Sequence, residues 1–218
     1  MKTLKGILLL LLLATLILSA VSCRKDKDVT YNEEEILAAA EQKILDSVLW
    51  NKIFFIEGFS ILEDGRKNGN YREVDPLFLE EIGMDKVSEI IAYGETIFST
   101  SMMELYQETL FSAIKNDVGG VSTSAVCFDF NEKIDGVDRF VCVMADPDES
   151  PRFNASHVEY LFDTMTVTYN LNGRATVSLT VCKAGEPQTT RDIRVNLLLE
   201  NDQWLLDGYT FVAFPSEE

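Results

Sequence analysis

Histidine and cysteine are the side chains that most often hold metals or act as nucleophiles near neutral pH. This chain of 218 residues carries one histidine, His157, and four cysteines, Cys23, Cys127, Cys142 and Cys182. No cysteine or second histidine lies at ligand spacing from His157, so zinc chemistry is not expected there. Cys127, Cys142 and Cys182 lie in apolar, strand-like contexts, where a thiol packs as a small hydrophobe. Cys127 and Cys142 flank a turn signal at Asp135-Gly136, so they could also face each other across a hairpin and form a disulfide in an oxidising compartment. The run Asp146-Pro147-Asp148-Glu149 offers oxygen to calcium without EF-hand spacing, and Asn131 to Cys142 has Lys133 and Cys142 where oxygens are needed. The chain has no phosphate-cradling glycine loop, no Gly-x-Ser-x-Gly elbow and no Cys/His nucleophile pair in local context. Neither a cofactor nor a catalytic constellation is expected.

Charge narrows the partners. Nineteen Lys and Arg stand against 36 Asp and Glu, a formal charge of −17, with no basic stripe. Such a chain repels a phosphate backbone, which excludes nucleic acid as a partner.

Part of the 46% hydrophobic content belongs to the first residues. Lys2 and Lys5 precede an apolar run from Ile7 to Leu18, followed by Ser19-Ala20-Val21-Ser22 and Cys23. A basic start, a short apolar stretch and small residues before a cleavage point make an exported leader of residues 1–22; a membrane span needs about 20 apolar residues. Val21-Ser22-Cys23 resembles the lipobox of bacterial lipoproteins, with Ala20 where that family most often has leucine. The resemblance implies that Cys23 is acylated and holds the chain to the outer membrane, each buried methylene contributing about 0.8 kcal/mol. Arg24-Lys25-Asp26-Lys27-Asp28 partly resembles the export tag of surface lipoproteins in the Bacteroidota, with Lys27 interrupting the acidic pair, so the periplasmic and outer faces both stay open. Residues 23–32 read as the lipidated cysteine and a polar tether of at most about 30 Å. Cleavage after residue 22 of the 218 leaves 196, enough for one domain; the leader takes two lysines and no acid, so −17 becomes −19.

The elements that must position any site fall into two halves of a single domain, residues 33–218. Asn32 caps a helix opening on Glu33-Glu34-Glu35, and apolar residues from Leu37 through Leu45, Val48 and Ile56 predict an amphipathic helix to about Leu62. Asp75-Pro76 starts a short helix that Gly83 stops, and Asp85 starts a long one that runs to Asn116 before Gly119-Gly120. No strand is expected between these helices. The second half alternates: residues 125–130, 137–145, 157–171, 174–183, 193–199 and 204–214 read as six strands of one antiparallel meander covered on one face by the helices, an α+β fold. Asn172-Gly173 predicts a type I′ hairpin. The apolar phase changes between Val158-Tyr160-Phe162 and Met165-Val167-Tyr169, which predicts a β-bulge near Asp163-Thr164. Asp46-Ser47-Val48 and Asp163-Thr164-Met165 each match the O-glycosylation pattern of exported Bacteroidota proteins.

N-terminal helices on a long, bent sheet, with the ending Asn201-Asp202-Gln203-Trp204-Leu205-Leu206-Asp207-Gly208-Tyr209, resemble the NTF2-like superfamily. That resemblance implies a cone between helices and sheet in which enzymes of the group place a carboxylate and a tyrosine for proton transfer. Asp163, Tyr169, Asp207 and Tyr209 are the residues that could line it here. The expected function is that of a non-enzymatic, lipid-anchored envelope protein binding a protein partner or a surface glycan; the alternative is a small-ligand or proton-transfer pocket of NTF2-like type.

Overall fold

The computed structural model describes residues 28–62, 67–68, 71–111 and 155–214, with the backbone of short strands between 117 and 144. The leader, Cys23, the tether up to Lys27, the turns at 64–65, 119–120 and 135–136, most of 131–142 and the acidic loop 146–151 lie outside the described residues.

Helix α1 spans Glu33–Asn51, and the Asn32 side chain accepts the Glu34 N–H at 2.9 Å, as its position before three glutamates requires. A single π turn, Lys52–Ile56, continues it, with Glu57 N–H donating to the Lys52 carbonyl at 2.8 Å. The helix therefore stops short of Leu62. The wider turn brings Ile53, Phe54 and Phe55 into the core in succession, which a 3.6-residue period cannot do. Helix α2, Pro76–Ile82, begins on Asp75, whose side chain accepts Leu77 N–H, and ends on Gly83 at φ 69°.

The long helix expected from Asp85 to Asn116 is two, α3 (Val87–Glu95) and α4 (Thr100–Leu110). Between them Ile97–Ser99 runs alongside the last strand: Leu206 N–H donates to Ile97 O at 2.9 Å and Ser99 N–H to Leu206 O at 2.8 Å. Ser99 then caps α4 by accepting Met102 N–H. Sheet pairing and a serine cap compete here with helix continuation, and win.

Strands β1 (Lys67–Asn68) and β2 (Tyr71–Glu73) do lie between the helices, against expectation. The two-residue pairs β3 (Asp117–Val118) with β4 (Val121–Ser122), and β6 (Lys133–Ile134) with β7 (Val137–Asp138), stand apart. β5 (Ala125–Phe128) and β8 (Val141–Met144) join β1 and β2 in the order β1-β2-β8-β5. Cys127 stands opposite Cys142 in that register, the cross-strand position a disulfide needs.

The main sheet has the order β12-β11-β10-β9, from β9 (Val158–Leu171), β10 (Arg174–Lys183), β11 (Glu186–Glu200) and β12 (Gln203–Leu206). The fold is α+β, but this meander has four strands where six were expected. Tyr71-Arg72-Glu73, a polar triplet with no apolar alternation to announce it, claims β8 and draws the first hairpin into the other sheet. The last strand ends at Leu206, well before Phe214.

Asn172 (φ 51°) and Gly173 (φ 75°) form the expected primed turn. The bulge in β9 is present: Ser178 pairs with Thr166 but Thr180 with Leu161, leaving extra residues around Asp163-Thr164. Thr164 Oγ1 fills the interrupted ladder, donating to Leu161 O at 2.7 Å and accepting Thr180 N–H at 2.8 Å. A second bulge, unmarked in the sequence, puts Thr168 outside the register between Val167 and Tyr169. Helix α1 lies on this sheet, Ile36 and Ala40 against Ala175, Val177, Leu197 and Trp204. Beyond them a second cluster, centred on Trp50, Phe54, Phe98 and Tyr106, joins the other helices to the sheet.

Candidate functional site

The buried face of α1 reads Ile36, Ala40, Ile44, Ser47, Asn51, at helical spacings of three and four. Its last two members are polar, and both meet Thr210, which follows the main sheet. Ser47 Oγ lies 2.8 Å from Thr210 Oγ1, and Asn51 Nδ2 donates to the same oxygen at 2.8 Å. The three residues are 0%, 3% and 1% exposed, so this is a core network in which an unmade hydrogen bond is costly. Tyr160, near the start of β9, closes it by donating its hydroxyl to the Thr210 carbonyl at 3.1 Å. Burial pushes the Tyr160 phenol up to about 12, opposed in part by hydrogen bonds from Asn51 and Thr210. The phenol therefore keeps its proton at neutral pH and acts as a donor.

A cleft of about 290 Å³ opens beside this network. Helix α1 contributes Leu45, Val48 and Asn51, the π turn Lys52 and Ile56, the entry to β9 Ser156, His157, Val158, Tyr160 and Phe162, and the C-terminal segment Phe211. Leu45 and Val48, which the periodicity assigned to the buried stripe, are 47% and 45% exposed because they form one wall of the cleft. At its mouth Glu57 bridges Lys52 (3.4 Å) and His157 (3.1 Å). All three side chains are about half exposed, so the Lys52–Glu57 ion pair is worth about 0–1 kcal/mol.

The four residues named from sequence are not gathered into this site. Asp163 is exposed at the bulge. Tyr169 is 47% exposed, because the second bulge at Thr168 reverses the strand's parity once more. Asp207 accepts hydrogen bonds from Ser99 Oγ (2.6 Å) and Ser101 Oγ (3.0 Å), with Arg174 at 3.9 Å, and so braces the start of α4. Tyr209 stacks obliquely on Phe211, ring centroids 5.0 Å apart, behind the cleft wall. Of the two glycosylation-pattern residues, Ser47 is fully buried and donates to Ile44 O, which removes it as an acceptor of sugar. Cys182 is buried, with its thiol beside the Glu159 carbonyl.

Asn51 escaped the sequence reading, although it left a signal: Ser47 and Asn51 continue an otherwise apolar 36-40-44 stripe. Among the described residues no group of three or more His, Cys, Asp or Glu side chains could hold a metal, and no helix is long and apolar enough to cross a membrane. No family model and no curated protein sequence matches this chain.

Proposed function

We propose that this chain is a lipid-anchored outer-membrane protein whose α+β domain binds a small, largely apolar molecule in the cleft between α1, β9 and Phe211, without turning it over. The observation that carries the ligand is the cleft itself: half-exposed Leu45 and Val48 face Ile56, Val158, Phe162 and Phe211 around a buried polar floor. An apolar concavity with a few convergent polar groups is the usual form of a small-molecule site. Its lining suits a hydrocarbon frame better than a glycan. Binding without chemistry fits a floor made of an amide, hydroxyls and a phenol that holds its proton to about 12, while the one imidazole of the lining, His157, is 57% exposed with its Nε2 at 3.1 Å from Glu57. The NTF2-like reading is supported by a helix laid across a long, bulged antiparallel sheet, although that sheet has four strands. The anchor is supported by the leader and Val21-Ser22-Cys23.

Titration of the purified protein with N-phenylnaphthylamine, which fluoresces in apolar surroundings, tests the site. Saturable enhancement is expected, and its loss in Val48→Glu with the fold intact by circular dichroism. No enhancement, or enhancement that Val48→Glu leaves unchanged, contradicts the reading. For the anchor, cells fed an alkynyl fatty acid should label the wild type and not Cys23→Ser; equal labelling would place the lipid elsewhere.

A further inference from the structure

The hydrogens of the buried network can be assigned one by one, and they leave a single acceptor unmet. Ser47 has one hydroxyl hydrogen, and it goes to the Ile44 carbonyl at 2.8 Å. Its contact with Thr210 must then be one in which Thr210 Oγ1 donates to Ser47 Oγ. With that hydrogen used, Thr210 Oγ1 can only accept from Asn51, which turns the amide so that Nδ2 faces Thr210. Tyr160 agrees with this orientation: its own hydrogen goes to the Thr210 carbonyl, so only an amide N–H can approach the phenol oxygen. Asn51 Oδ1 is what remains. It is buried and has no hydrogen-bond partner, on a residue that lines the cleft. A buried acceptor without a donor is costly, and nothing in this network can supply one, since every hydroxyl hydrogen is already committed.

We propose that the occupant of the cleft brings that donor: a hydroxyl or N–H on an otherwise apolar frame, which reaches Asn51 Oδ1 by parting the side chains that close this oxygen off from water. This rests on the reading of the cleft as a ligand site, and it selects within apolar molecules. A carboxylate has only acceptors to offer Oδ1, and the chain's charge of −17 disfavours an anion besides. A plain hydrocarbon fills the space and leaves the amide unmet. An alcohol, phenol or indole-type N–H satisfies both.

The test uses two probes of one shape, naphthol and fluoronaphthalene substituted at the same ring carbon, each competed against N-phenylnaphthylamine on the purified wild-type protein and on Asn51→Leu. Naphthol is expected to bind the wild type roughly tenfold more tightly, the worth of one well-placed hydrogen bond to a buried acceptor, and Asn51→Leu should bring the two probes together. Equal affinity for the wild type overturns the donor while leaving the apolar site standing. A naphthol preference that survives in Asn51→Leu overturns it too, because the donor then sits elsewhere. The wild-type comparison alone decides whether the cleft takes a donor, and Asn51→Leu, shown folded by circular dichroism, decides whether that donor sits on Asn51. If neither probe binds the wild type, both this inference and the ligand reading fall.

Discussion

At the scale of single residues, what matters is where each hydrogen goes. Asp207 drew attention as a carboxylate beside aromatic residues, yet its oxygen is occupied by Ser99 and Ser101, and its work is to hold the start of α4 against β12. Asp207→Ala should cost about 1–3 kcal/mol in denaturant unfolding and leave probe binding in the cleft unchanged. Lost binding with stability intact would put Asp207 back in the site. The phenols give a pH dependence. Burial raises Tyr160 to about 12, Tyr106 well above its ordinary value and Tyr93 to a lesser extent. Above pH 10 the unfolded chain releases these protons while the folded chain keeps them, so stability should fall as pH rises from about 10 to 12, by about 1.4 kcal/mol per pH unit for each of the buried phenols Tyr160 and Tyr106. Unfolding midpoints measured across that range check the sign, and Tyr160→Phe should shallow the slope. The carboxylates and tyrosines could be picked out from composition; Asn51 could not, because its meaning depends on a hydroxyl 159 residues away.

At the scale of elements, signals confined to neighbouring residues were legible and signals that depend on distant pairing were not. Asn32, Asp75-Pro76, Gly83 and Asn172-Gly173 each act within a turn, and each does what its local chemistry requires. The phase change at Asp163 announced a bulge because parity is a property of one strand. The division of the long helix was hidden, since Ile97–Ser99 leave helical geometry to meet Leu206, and β2 was hidden because its partner is a strand about seventy residues on. Gly94 in α3 shows how tightly the parts fit: a Cβ there would lie 2.6 Å from the Trp50 ring and 2.8 Å from the Met103 sulfur. Gly94→Ala should therefore destabilise by about 1–3 kcal/mol, although alanine is the better helix former. A neutral or stabilising result in thermal unfolding would mean that α3 is not pressed against α1.

At the scale of the whole molecule, the start of the described chain shows which end of the domain meets the membrane if Cys23 carries lipid. Val29 and Tyr31 are held to the β9–β10 turn by two reciprocal pairs: Val29 N–H to Asn172 Oδ1 and Asn172 N–H to Val29 O, then Tyr31 N–H to Asn170 Oδ1 and Asn170 Nδ2 to Tyr31 O. Only the residues between Cys23 and Asp28 then remain as tether, a covalent reach of about 17 Å rather than 30 Å. The cleft lies at the other end of β9, roughly 30 Å from that turn at about 3.3 Å per residue along the Arg174 to Lys183 strand that β9 pairs with, and so faces away from the lipid. A fluorescent amino acid placed at exposed Gln203, beside the tethered end, should be dimmed by a bilayer-borne quencher more than one at Gln188, beside the cleft end. The reverse would invert the domain. All of this turns on whether the far end holds a ligand, and methyl NMR reads that directly. In protein labelled at its Leu, Val and Ile methyls and titrated with N-phenylnaphthylamine, saturating shifts are expected at Leu45, Val48, Ile56 and Val158, with the exposed Leu77 and Val29 unmoved. Shifts centred on Leu77 or Val29, or no saturating shift at the cleft methyls, would contradict it.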